Sequence, residues 1–116
     1  MDNNEVIGVL RIIDANANRA AEALRTIEEY ARFVVSDANM SQAIKSLRHR
    51  LASILQLVPL RDRSVARESQ FDVGRNLTTT EETDRANVLS VVAAAFGRLK
   101  EALRCLEEYS KTMFSD

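Results

Sequence analysis

Apolar residues recur every three to four positions through most of this chain, and three stretches of it hold a single helical register. Taking Ile27 as the centre of a wheel at 100° per residue, Val6, Val9, Ile12, Ile13, Ala20, Ala23, Leu24, Tyr30, Ala31 and Val34 fall within about 60° of it. That register predicts one uninterrupted helix over 5–35. A second stripe, Val88, Val91, Val92, Ala95, Leu99, Ala102, Leu103, Leu106, Tyr109 and Met113, predicts another long helix, with Thr79 and Glu82 as a capping box to begin it. Between them Ile44, Leu47, Leu51, Ile54, Leu55 and Val58 mark a shorter helix over 38–57, with Asp37 as N-cap and Pro59 as its stop. The expected fold is all-α: two long helices and one shorter one, forming a single domain over 1–116 with a long loop over 59–79.

The two long helices share more than a pattern. Arg19-Ala-Ala-Glu22-Ala-Leu-Arg25-Thr-Ile-Glu28-Glu29-Tyr30 recurs 79 residues later as Arg98-Leu-Lys-Glu101-Ala-Leu-Arg104-Cys-Leu-Glu107-Glu108-Tyr109, with eight of twelve positions identical. Ordinary amphipathic helices share polarity, not the identity of each charge. Glu22, Arg25 and Glu29, like Glu101, Arg104 and Glu108, project away from the apolar stripe. They can form a surface ion-pair ladder, or a second contact face in a dimer or against another domain.

Composition narrows the function classes. Lys and Arg number 16 against 17 Asp and Glu, a balance without the basic field that nucleic acid or an anionic membrane requires. The acidic start carries no long apolar run, so neither a signal peptide nor a membrane span is expected and the chain reads as cytoplasmic. Cys105 and His49 are the sole residues of their kinds, which excludes an internal disulfide and a Cys/His zinc cage.

The segment 59–79 lacks sustained periodicity and exceeds what a connection between packed helices needs. Arg61, Asp62, Arg63, Arg67, Asp72 and Arg75 crowd it, so it reads either as a solvated loop or as a functional one. Helix one should be roughly 45 Å long and the middle helix only about 30 Å. A middle helix folded back antiparallel therefore brings the start of the loop level with Asp14, Asn16, Asn18 and Arg19. A third helix running parallel to the first would bring Gly97 and Arg98 to the same height.

That level holds the candidate chemistry. Asn16 falls inside the apolar stripe, where an uncompensated amide costs a few kcal/mol, so it either fixes helix register or faces a polar pocket. Arg19 and Arg98 sit at stripe edges, where an arginine buries its stem and points its head inward. Joined by Arg48 or Arg61 they would suit a phosphate, whose oxygens the guanidinium fork matches. Lys45, Arg48, Arg50, Arg61, Arg63 and Arg67 face the single acid Asp62 between 45 and 67, either as a solvated basic face or as a seat for a small anion. No phosphate-binding Gly-rich loop and no Ser-His-Asp set occurs.

These pieces together resemble the small helical domain at the N-terminus of thiamine-phosphate synthases of cyanobacterial and planctomycete type, which also occurs as separate proteins. The resemblance rests on Arg11-Ile-Ile-Asp14-Ala-Asn16-Ala-Asn18-Arg19, Glu22-Ala-Leu-Arg25, Glu28-Glu29-Tyr30-Ala-Arg32-Phe33, Lys45-Ser-Leu-Arg48, Arg61-Asp62, Asp72-Val-Gly74, Arg85-Ala-Asn87 and Glu101-Ala-Leu-Arg104. It implies a place in thiamine biosynthesis and the proposed hydroxymethylpyrimidine-phosphate kinase step, with ATP and Mg²⁺ as cofactors of that step. On this reading Asn16 reads the pyrimidine, Arg19, Arg48, Arg61 and Arg98 hold phosphate, and Asp72 serves as catalytic base or metal ligand. The other reading is a non-catalytic module that dimerises or docks a thiamine-phosphate synthase domain. A homodimer is expected to pair uncovered apolar ends formed by Val6, Val9, Ile12 and Ile13 with Val88, Val91 and Val92, and to be broken by Val9→Glu.

Overall fold

The computed structural model describes residues 1–56 and 85–113, and every regular element among them is helical. Helix α1 runs Asn3–Glu29 and continues as a π-helical turn, Tyr30–Val34; α2 spans Ala38–Leu55 and α3 spans Val88–Ser110. Each helix starts where a short side chain can accept from an otherwise unpaired backbone N–H. Asp2 accepts from Glu5, Asp37 from Met40 and Asn87 from Ser90, each at 2.9 Å. Asp37 is thus the N-cap of α2, as expected.

Two boundaries differ from the sequence reading. The first helix does not hold one register to 35, because its hydrogen bonds widen at Tyr30. The Val35 N–H donates to the Tyr30 carbonyl at 3.0 Å and the Asp37 N–H to that of Ala31 at 2.9 Å. Those wide closures pair terminal carbonyls that an abrupt α-helical end would leave open, and they leave Ser36 at φ 58 to reverse the chain. The third helix starts at Val88 rather than after Thr79, since Asn87 caps it and Arg85–Asn87 are not helical. Thr79, Glu82 and Pro59 lie outside the described residues.

Helix α1 is the centre of the molecule. It supplies Leu10, Ile13, Ala17, Ala20, Ala23, Leu24 and Ile27 to the buried set, whereas α3 supplies only Ala95 and Ala102 and α2 none. Both shorter helices pack on α1 far more than on each other. The short 35–37 turn makes α2 antiparallel to α1. Met113 packs with Val6 around Leu10, while Ala95 and Leu99 lie with Ala23 and Ile27, so α3 also runs antiparallel to α1. Alanines at the α1–α3 seam let the two backbones approach closely, and bulkier side chains at those positions would hold them apart.

The antiparallel course corrects the expected apolar ends. Val88, Val91 and Val92 sit towards the π-helical end of α1, at the far end from Val6 and Val9, and Ile13 is buried. Those two sets therefore share no common end.

Gly97, inside α3, has nothing within 4 Å of where a Cβ would stand and no positive φ. Gly97→Ala should therefore raise stability by about 0.8 kcal/mol, the helix-propensity difference, read as a higher denaturant midpoint at unchanged slope. A lower midpoint would show that the space is needed.

Candidate functional site

Asn16 is 5% exposed and sits one turn before Arg19 on α1. Its Nδ2 donates to the Ile12 carbonyl at 2.9 Å, and its Oδ1 accepts from Arg19 Nη1 at 3.5 Å. The amide is thereby satisfied within its own helix, and the arginine head is drawn over it. Among the described residues no buried side-chain nitrogen or oxygen lacks a partner.

Arg98 enters from α3. Carrying the packing of Ala95 and Leu99 against Ala23 and Ile27 along the helices sets Arg98 opposite about Ala23, roughly 6 Å along the axis from Arg19. Glu28 faces α2, and Arg19, nine residues earlier, lies about 180° around α1 from it. Because the repeat relates Arg19 to Arg98 and the helices are antiparallel, a local two-fold normal to their common plane keeps both arginines on one flank of the pair. That flank faces away from α2, and both arginines are exposed on it.

Arg48 is elsewhere. Its Nε and Nη2 both reach Glu28 Oε1 at 3.1 Å, forming a partly buried ion pair that ties α2 to α1. The structure therefore brings Asn16, Arg19 and Arg98 towards one another and directs Arg48 to the other side of α1. Arg61 and Asp72 lie outside the described residues. Asp14 is buried on α1 near the same level.

Glu28 was missed in the sequence reading, which singled out Glu22 and Glu29. The signal was weak: at 100° per residue Glu28 stands 100° from Ile27, outside the apolar stripe and 40° beyond Leu24 at its edge, so periodicity alone did not mark it as buried. The surface ladder does form, with Arg25–Glu29 at 3.4 Å and Arg104–Glu108 at 3.4 Å. A cavity of about 270 Å³ lined by Arg32, Ser36, Ala38, Ser41 and Gln42 lies at the α1–α2 turn and includes none of the candidate residues. Among the described residues no three His, Cys, Asp or Glu side chains gather as a metal site. No described helix is long and apolar enough to cross a membrane.

Comparison with known proteins decides the family, since a model described as ThiD2 family matches residues 11–116. The chain belongs to the ThiD2 family. It is 47% identical to the thiamine-phosphate synthase of Rhodopirellula baltica over 116 residues, covering all of this chain and 31% of the relative. The thiamine-phosphate synthase of Nostoc punctiforme is 47% identical over 89% of the chain and 28% of the relative. That of Synechocystis is 43% identical over 89% of the chain and 29% of the relative. This ThiD2 chain thus spans about a third of the length of the curated relatives it matches. No solved structure matches it.

Proposed function

We propose that this chain acts in thiamine biosynthesis as a binding domain for a phosphorylated hydroxymethylpyrimidine. The observation that carries the reading is the buried Asn16 amide bridged to Arg19, on the flank that Arg98 shares. An amide presents a donor and an acceptor together, the complement of a pyrimidine edge, and paired guanidinium forks match phosphate oxygens. Similarity to thiamine-phosphate synthases over the whole chain supports the substrate class. On the same reading Arg61 adds a further guanidinium to the phosphate. Arg48 stays with Glu28 and supports α1 from behind.

The fuller form of this reading adds phosphoryl transfer, in which a terminal phosphoryl group passes from ATP to a ligand phosphate oxygen and ADP departs. Mg²⁺ would screen the phosphates, and Asp72 would serve as metal ligand or base. Calorimetric titration with hydroxymethylpyrimidine phosphate, with and without ATP and Mg²⁺, tests both forms. Binding without turnover leaves a ligand domain; product formation makes it a kinase; no heat at millimolar ligand removes the site.

Arg19→Ala and Arg61→Ala should each weaken binding at least tenfold, about 1.4 kcal/mol, with melting temperature nearly unchanged. Arg19 is exposed, and among the described residues its side-chain hydrogen bond goes to Asn16 of its own helix, so its loss costs ligand contacts more than packing. Equal affinity in Arg19→Ala would move the site off this flank. The alternative, a non-catalytic dimerisation or docking module, draws on the apolar residues left exposed on α2 and α3.

A further inference from the structure

The 79-residue offset of the repeat extends beyond the charged motif. It maps Leu10, Ala17 and Leu24 of α1 onto Leu89, Phe96 and Leu103 of α3, and Glu28 onto Glu107. In α1 these positions are covered, at 6%, 1% and 8% exposure, and Glu28 holds Arg48 of α2. In α3 the equivalents are open, at 65%, 49% and 46%, and Glu107 is exposed. Among the described residues the second half of the repeat thus presents a helix-docking face with no helix on it. The local two-fold sets this face on the same side of the α1–α3 pair as α2.

Helix α2 carries a matching stripe. Met40, Leu47 and Ile54 are each about half exposed and also repeat every seven residues. Their wheel position is roughly 70° from the side formed by Ile44, Arg48, Leu51 and Leu55, which faces α1. Both helices run antiparallel to α1 and so parallel to each other. Carrying the packing of Ile44 and Arg48 on one side, and of Ala95 and Leu99 on the other, along the axes puts the stripes in register. They form three layers: Met40 with Leu89, Leu47 with Phe96, and Ile54 with Leu103.

We propose that this double stripe is the interface between two copies of the chain. The layers are self-complementary about a two-fold axis through the middle one. Rotation sets Leu47 and Phe96 on their own equivalents, and brings the Met40–Leu89 layer onto the Ile54–Leu103 layer of the second copy. Four helices, α2 and α3 from each copy, then close around one seam, with the seven-residue spacing that helices crossing at about 20° require. At about 200 Å² for each fully exposed residue of this size, the six side chains offer on the order of 600 Å² per copy. That stands at the upper end of the roughly 300–600 Å² of the largest apolar patch on a monomer, a size often functional, and with its polar rim approaches the roughly 800 Å² per partner of a stable interface.

The test is sedimentation equilibrium of the chain and of Phe96→Glu, with circular dichroism to follow folding. The native chain should be a dimer at tens of micromolar, and Phe96→Glu should raise the dimer dissociation constant at least a hundredfold with helicity unchanged. In a Cys105→Ser background, Leu47→Cys should oxidise to a cross-linked dimer, because the two-fold brings that position beside itself, while Arg25→Cys should not. A monomeric native chain overturns the proposal. So does a dimer that withstands Phe96→Glu and fails to cross-link through Leu47→Cys, which would assign self-association to another face.

Discussion

Ala23→Leu is expected to lower stability by about 3 kcal/mol, at the upper end of the usual cost of overpacking a core. Ala23 is fully buried, within the cluster that joins Ile27 of α1 to Ala95 of α3. Three added carbons there meet the closely packed Ala95 and Leu99 of α3, so the helices must separate. Separation also loosens Ala20 and Ala102, buried alanines of the same two helices. For a domain of this size the melting temperature should fall by roughly 12 °C, on about 4 °C per kcal/mol. Ala52→Leu, on the exposed side of α2, supplies the control and should move it by no more than about 2 °C. If Ala23→Leu melts with the native chain, α1 and α3 are not in close contact at this level.

The second large effect belongs to the ion pair that holds α2. Arg48→Met keeps most of the aliphatic stem but leaves the Glu28 carboxylate, with only 10% of its side chain exposed, without its cation. Breaking a fully buried pair costs about 3 to 5 kcal/mol; with Arg48 partly solvated, about 2 to 3 kcal/mol is expected here. The penalty is that of an orphaned charge rather than the net worth of the pair. Adding Glu28→Leu to Arg48→Met should accordingly recover most of the loss. A double variant as unstable as the single one would locate the cost in Arg48 packing instead. Ligand affinity should survive both substitutions, since Glu28 and Arg48 lie on the opposite side of α1 from Arg19.

Much of the scaffold was legible because it rests on local rules. The 3.6-residue periodicity predicts all three helices, and Asp37 before an apolar-periodic run predicts the start of α2. The i to i+4 spacing of Arg25 with Glu29 and of Arg104 with Glu108 predicts the ladder seen in both long helices. Asn87 could have been read as a cap too, yet the Thr79–Glu82 spacing drew attention to an earlier start. A capping motif is satisfied by three or four residues in isolation, so several can compete within one segment. The widened turn at Tyr30 had no comparable signature, because it arises where the chain must reverse to lay α2 back along α1.

The sequence by itself determined the helical class, the length of each helix to within a turn at most ends, the buried stripe of α1 and the burial of Asn16. These depend on side-chain periodicity, which is written along the chain. Only the tertiary structure decided that α3 runs antiparallel to α1, which turns the repeat into a local two-fold and places Arg19 and Arg98 a turn apart on one flank. Only it decided that Arg48 belongs to Glu28, and that Leu24 is covered while its repeat partner Leu103 is not. A helix wheel reports which residues turn inward but not what stands opposite. Helix direction, pairing across helices and the unequal covering of equivalent positions are properties of contacts between segments distant in sequence, and no local spacing encodes them.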